Sequence, residues 1–326
     1  MRTPSSPRNM QGLSLIELMI ALVLGLLVVG AAIGIFMSNR QAYRATESVG
    51  RVQEASRVAF EMMAHDIREA GGNPCDKGTP VANVLNGAGA TWWSNWVDGI
   101  RGYDNGAAAP FGNAPAPARV AGTDAIELKS GASGGVNVTA HATGGTPQFT
   151  VNTINHGFET GDIAMVCDGR QAAIFQVTSA DSGTSNTVQH GTGGGSPGNC
   201  TTGLGVPLLC AAGSIKKTFG PNSTMVRMYS TAWYVGTNAR GGSSLYQVRL
   251  TGGAPQAQEI TDGVTNMQIT YREGGAYVAA GAVANWANVT AAQITITLQS
   301  LDNVGPNGQA VQRQLIHTVS LRNRNA

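Results

Sequence analysis

The chain of 326 residues carries 21 Lys+Arg and 19 Asp+Glu, a charged fraction of 12% and a formal net charge of +2. That fraction is about half the usual one, and it leaves neither a basic nucleic-acid footprint nor an acidic solvating tail. Hydrophobic content of 42% excludes a disordered chain, and the 44 glycines follow no G-X-Y period, which excludes collagen.

The charges are unevenly placed. Residues 1–12, MRTPSSPRNMQG, hold Arg2 and Arg8, and residues 13–37 hold only Glu17. From Leu18 to Met37 the chain reads LMIALVLGLLVVGAAIGIFM, without a charge. At 1.5 Å rise per residue this run is about 30 Å of helix, the thickness of a bilayer core. A buried helix of a soluble core would satisfy the same length. A secretory signal would be shorter and end in a small-residue cleavage site, which this run lacks. The pattern therefore predicts a membrane span. Glu17, fifth after Gly12, is costly beside such a span unless partnered. An α-amine freed by a cut after Gly12, on the same chain or on a neighbour, would be one partner.

Gly12-Leu13-Ser14-Leu15-Ile16-Glu17-Leu18 resembles the class III signal of type IV pilins and type II secretion pseudopilins. The resemblance implies cleavage between Gly12 and Leu13 by a prepilin peptidase and N-methylation of Leu13. The apolar segment is then retained as an assembly helix, with Glu17 as the assembly residue. The usual residue after the cut is Phe; Leu13 departs from it while keeping the apolar character.

From residue 38 the period becomes amphipathic. Tyr43, Val49, Val52, Ala55 or Ser56, Val58 or Ala59, Met62 or Met63, and Ile67 recur mostly at three- and four-residue steps, with Arg40, Arg44, Glu47, Arg51, Glu54, Arg57, Glu61, Asp66, Arg68 and Glu69 between them. The stop signal is Gly71-Gly72-Asn73-Pro74. The spacing thus predicts one helix from about Leu13 to Ala70. Gly25, Gly30 and Gly34 in its first half favour close helix approach or local melting, or reflect sequence drift alone.

Beyond residue 75 short alternating or apolar runs replace the helical period. Strands are expected at Asp124–Lys129, Gln148–Thr153, Asp162–Cys167, Ala172–Thr178, Met225–Val235, Ser244–Leu250, Val264–Tyr271, Gln293–Gln299 and Val311–Leu321. Asp98-Gly99, Asp168-Gly169 and Asp262-Gly263 read as tight turns, the second joining DIAMVC and AAIFQVT in a hairpin. Residues 75–120 and 182–215 read as loops. The expected fold is α+β: a long N-terminal helix packed on a mostly antiparallel β head. Its parts are a leader (1–12), a membrane segment (13–37), an amphipathic continuation (38–70) and the β-rich domain (71–326).

HDIREAGGNPC (65–75), GDIAMVCDGRQAAIFQVT (161–178), EITDGVTNMQITY (259–271) and LRNR (321–324) resemble PilW-type minor pilins, larger relatives of the J-class pseudopilins. The resemblance implies a non-enzymatic minor pilin without cofactor, a substrate of prepilin peptidase. It implies a single-pass inner-membrane protein of a Gram-negative bacterium, N-terminus cytoplasmic and head periplasmic. Such a subunit joins other minor pilins, the major pilin and the inner-membrane assembly platform, priming the pilus and sitting at its tip, in motility or adhesion. A J-type pseudopilin of a type II secretion system and a tip adhesin or DNA-uptake subunit are the alternatives. The dispersed charges of the head show no stripe for DNA.

Cys75, Cys167, Cys200 and Cys210 are expected in an oxidising compartment, and four cysteines allow three pairings. Cys200–Cys210 is locally plausible; Cys75–Cys167 would then tie the helix end to the first hairpin. A four-thiolate metal site lacks the C-x-x-C spacing it needs. Trp92, Trp93 and Trp96 form either a lid on the sheet or a contact surface. Gly194-Gly195-Ser196-Pro197-Gly198 matches G-x-S-x-G without the flanking strand and helix of a nucleophile elbow. His65, His141, His156, His190 and His317 are dispersed, without metal-ligand spacing.

Overall fold

The computed structural model describes residues 14–72, 75, 79–112, 117–132, 134–193, 195–210, 214–251, 253–305 and 308–324. Helix α1 runs unbroken over Leu15–Glu69, through Gly25, Gly30, Gly34 and Gly50, where an added Cβ would meet nothing within 4 Å. Its C-terminus is closed at Gly71, which has a positive φ of 74° and donates its N–H to the Lys129 carbonyl at 2.8 Å. The strands follow in chain order as β1 (Val81–Asn83), β2 (Ile100–Tyr103), β3 (Ala125–Gly131), β4 (Val136–Ala142), β5 (Gln148–Val151), β6 (Ile163–Cys167), β7 (Ala172–Gln176) and β8 (Ser179–Ala180). Then come β9 (Thr187–Gln189), β10 (Thr224–Thr237), β11 (Ser243–Thr251), β12 (Ala254–Asp262), β13 (Val264–Glu273), β14 (Ala276–Val278), β15 (Val289–Gln299) and β16 (Gln312–Ser320).

Two compact units divide the chain. One comprises Met1–Arg51 with Ser300–Val311; the other comprises Val52–Gln299 with Gln312–Ala326. Within the first, the Ser300 N–H is donated to the Val311 carbonyl and the Val311 N–H to Ser300 Oγ, each at 2.8 Å.

Within the second unit, twelve strands form one sheet in the order β1-β7-β6-β10-β4-β5-β9-β8. β3 and β11 also pair with β10, β2 joins β3, and β12 joins β11. The other sheet is β14-β13-β15-β16. Only the β1–β7 pair is parallel among the described strands, so the head is mostly antiparallel, and with α1 it makes an α+β fold. The docked part of α1 follows the amphipathic period: Val52, Ala59, Phe60, Met63, Ile67 and Ala70 are buried. They share one core with Ile126 and Leu128 of β3, Trp233 of β10, Leu245 of β11, and the inward rows of β13 and β15. A second core gathers Phe149, Phe158, Phe175, Val188 and Phe219 around β4 to β9.

The runs DIAMVC and AAIFQVT pair as an antiparallel hairpin, Cys167 opposite Ala172. Asp168 accepts the N–H of Arg170 and of Gln171, each at 3.1 Å, which fixes the turn. Asp262-Gly263 is not a hairpin turn. β12 pairs with β11 and β13 pairs with β15, so the chain changes sheets there. Gly263 has φ 74°, and a Cβ on it would stand 2.5 Å from the Gln299 carbonyl oxygen. Several strands lie outside the expected set, notably β4 and β12. β12, APQAQEITD, is a mostly exposed edge strand with no buried face. It therefore lacks the apolar alternation by which a strand is read.

Candidate assembly interface

Helix α1 begins at a local capping arrangement. Ser14 precedes it, and its Oγ accepts the Glu17 backbone N–H at 3.3 Å, satisfying one of the unpaired amides of the first turn. Glu17 lies in that first turn, where a carboxylate is favoured by the helix dipole. From Leu15 to Met37 every large apolar side chain is more than half exposed, Leu15 by 76%. None of the span-length apolar window is buried. This surface is far larger than the patch a monomeric soluble protein leaves in water; it is built for lipid or for other helices. Glu17 is the one charge on it. Gly12 and Leu13 lie outside the described residues.

The other end of α1 is fixed by Asp66, which sits on the buried stripe between Met63 and Ile67. Its Oδ2 accepts Trp233 Nε1 at 2.9 Å and Gln247 Nε2 at 2.8 Å, and its Oδ1 accepts Arg249 Nη2 at 3.1 Å. A carboxylate withdrawn from water is thus met by three donors from β10 and β11, as burial of a charge requires. Sequence reasoning placed Asp66 among the charges that lie between the apolar positions of the helix. The available signal was its register, three residues after Met63 and seven after Ala59.

The structure pairs Cys75 with Cys167, across 92 positions, and Cys200 with Cys210, across 10. The first bridge joins the segment just after α1 to the end of β6, and the second closes a local loop. Trp92 and Trp93 are buried. Trp92 packs edge-on against Phe111 at 5.3 Å between ring centroids, and the Trp93 carbonyl accepts Ser230 Oγ–H at 3.0 Å. They form a lid over β3 and β10 with Tyr234 and Tyr246, which corrects the reading of these two rings as a contact surface. Trp96 is half-buried against the Ile163–Met228 cluster. On β3, Lys129 Nζ meets Glu127 Oε1 at 2.7 Å, both buried. Tyr103 donates its hydroxyl to Glu127 Oε2 at 2.9 Å, and burial, then the Glu127 charge, push the phenol pKa up.

Of the five dispersed histidines, two are brought together, 49 positions apart. His141 Nε2 and His190 Nε2 are 2.9 Å from each other among Phe149, Phe175 and Phe219. His141 Nδ1 accepts the Phe219 N–H at 3.1 Å. Its proton therefore sits on Nε2 and is donated to His190, whose own proton is left on Nδ1. That Nδ1 is buried without a hydrogen-bond partner among the described residues. Burial holds His141 at about 4, and burial with the His141 charge holds His190 at about 3. This tautomer leaves no lone pair on His141 for a metal between the rings. His65 and His317 lie elsewhere: the first beside Asp66 and Glu69, the second against Phe60. His156 packs near Phe158. Among the described residues, no three His, Cys, Asp or Glu side chains are grouped to hold a metal. Ser196 is in a bend between β9 and β10; Gly194 of that motif lies outside the described residues.

An exposed span-length helix opening on one carboxylate, followed by an amphipathic half docked on an antiparallel head, is a pilin-like architecture. Residues 7–33 match the family described as the prokaryotic N-terminal methylation motif, and residues 232–319 match the type IV pilus-assembly protein W family, PilW. Together the two matches support a PilW-like type IV minor pilin, related to pilus assembly. The first covers Gly12, Leu13, Glu17 and most of the apolar run; the second covers Trp233, Gln247 and Arg249, which receive Asp66. No curated protein and no solved structure gives a significant match. The family matches point to a structural pilin that is a substrate of prepilin peptidase, and the pilus context implies interaction with that peptidase and with other pilins. The signal and the apolar helix indicate a membrane-anchored protein.

Proposed function

We propose that the chain is a minor pilin cut between Gly12 and Leu13 and N-methylated at Leu13. It is held in the inner membrane by one span, N-terminus cytoplasmic and head periplasmic, until it joins other minor pilins in the complex that primes the pilus and remains at its tip. The observation that carries this reading is the fully exposed apolar surface of α1 with Glu17 alone in its first turn. In a bundle of such helices the cheapest partner for that carboxylate is the amine of an adjacent subunit. The PilW match favours a pilus over a secretion system.

The test is replacement of Glu17 by Ala, with N-terminal mass analysis of the chain recovered from sheared pili. The expected result is normal processing to Leu13 and loss of the variant from pili by at least tenfold. Incorporation equal to the parent would defeat the role of Glu17, and an intact Met1 in assembled fibres would defeat the pilin reading.

A further inference from the structure

Just past the apolar run, Arg40, Tyr43 and Arg44 stand at i, i+3 and i+4 on α1 and share one face of it. All three are exposed, Tyr43 by 80%. From Leu18 to Thr46 the chain has no carboxylate, and neither guanidinium has an ion-pair partner among the described residues. The next two cations along α1 are matched within the helix: Arg51 holds Glu47 at 2.6 Å, and Arg57 holds Glu54 at 2.9 Å and Glu61 at 3.5 Å. Arg40 and Arg44 are therefore the unmatched cations beside the span; Arg68, which also lacks an ion-pair partner among the described residues, lies in the last turn of α1, far from it.

Their depth is set by the helix. With Met37 at the edge of the hydrocarbon, Arg40 lies about 4.5 Å and Arg44 about 10 Å further along the axis. The headgroup layer is about 5–8 Å thick on each side of the core, and an Arg side chain reaches several ångströms along the helix to place its charge there. A guanidinium matches a phosphate with two parallel hydrogen bonds. A tyrosine ring between two such groups has the amphipathic character of residues found at the same level of a bilayer.

We propose that Arg40, Tyr43 and Arg44 form a docking site for the phosphates of anionic phospholipids in the leaflet where the span ends. The site fixes how far α1 is drawn into the membrane, and a subunit leaving for the fibre must release it. This rests on the reading of residues 15–37 as a membrane span, and the experiment separates the two.

The full chain is placed in nanodiscs of phosphatidylcholine, with or without phosphatidylglycerol, and amide exchange is followed over residues 15–37 and 38–46. Phosphatidylglycerol is expected to slow exchange over 38–46 about 30-fold, the factor that two basic side chains supply at an anionic surface. Molar salt removes the slowing, as does the Arg40→Gln/Arg44→Gln variant, while Arg51→Gln retains it. Both substitutions fall on exposed helix positions, so the fold tolerates them. Equal exchange over 38–46 in the two lipids, with 15–37 protected in both, would overturn the site. So would slowing that persists in the double variant, or slowing produced by a co-purified subunit in place of the lipid. Rapid exchange over 15–37 would instead overturn the span, and the site with it.

Discussion

Truncating Asp66 to Ala removes the acceptor shared by Trp233 Nε1, Gln247 Nε2 and Arg249 Nη2. The Trp233 and Gln247 donors are buried, whereas the Arg249 side chain is 52% exposed and regains water. Each stranded buried donor costs about 1–3 kcal/mol, so two of them give roughly 2–6 kcal/mol, centred near 4. Asp66→Asn keeps the volume and one acceptor oxygen but turns an amide N–H₂ toward the other donors, for about 2 kcal/mol. Arg249→Ala leaves the carboxylate with its two buried donors and costs about 1 kcal/mol or less. The expected order of loss is Asp66→Ala, then Asp66→Asn, then Arg249→Ala. Urea unfolding of the full chain in detergent, followed by tryptophan fluorescence, reads it as shifts in midpoint at constant slope. If Asp66→Ala were no more destabilising than Arg249→Ala, the carboxylate would not be what locks α1 to β10 and β11, and apolar burial alone would account for docking.

Acid weakens the second core through the histidine pair. An unfolded histidine takes up its proton near pH 6.5, and folded His190 does so at about 3. The unfolded chain thus binds more protons in between, and stability falls as pH drops below 6.5. By pH 4 the loss from His190 is about 3 kcal/mol; His190→Gln flattens this acid limb, and an unchanged profile would refute the assignment. The two disulfides differ in leverage: from loop length alone, opening Cys75–Cys167 costs about 4.6 kcal/mol and opening Cys200–Cys210 about 2.8 kcal/mol. Paired Cys→Ser variants compared by denaturation check that order. Lys129→Met leaves Glu127 buried without its cation and costs about 3–5 kcal/mol, while adding Glu127→Gln restores much of it; additive losses would refute the pairing.

What the chain declares in advance depends on how locally each feature is encoded. Helix α1 was legible because a charge-free run, followed by a stripe of helical period, covers nearly all of its fifty-five residues. The β6–β7 hairpin was legible because its apolar runs flank an Asp-Gly turn. β12 was not, since an exposed edge strand has no buried face to generate a pattern. Asp66 looked like any other charge on an amphipathic helix, and only its register, shared with Ala59 and Met63, distinguished it. The contact of His141 with His190 depends on β4 and the end of β9 folding together, which no spacing between the two residues could announce. The Trp loop fell between these cases. Its apolar weight was plain in TWWSNW, but whether it covered the sheet or faced outward depended on Phe111 and Tyr234, which belong to other segments.

Strand β10 has fourteen residues and borders β6 and β4 along Thr224–Met228, then β3 and β11 along Met228–Thr237. One end belongs to the phenylalanine-lined core and the other to the core that receives α1. A tug on α1 enters the head through Val52–Ala70 and Asp66. From there a single covalently continuous strand carries the load across the head, with hydrogen-bonded neighbours on both edges to share it. Among the described strands β10 alone contributes buried side chains to both of these cores, Met225 to one and Trp233 and Val235 to the other, so it is the spar that ties them together.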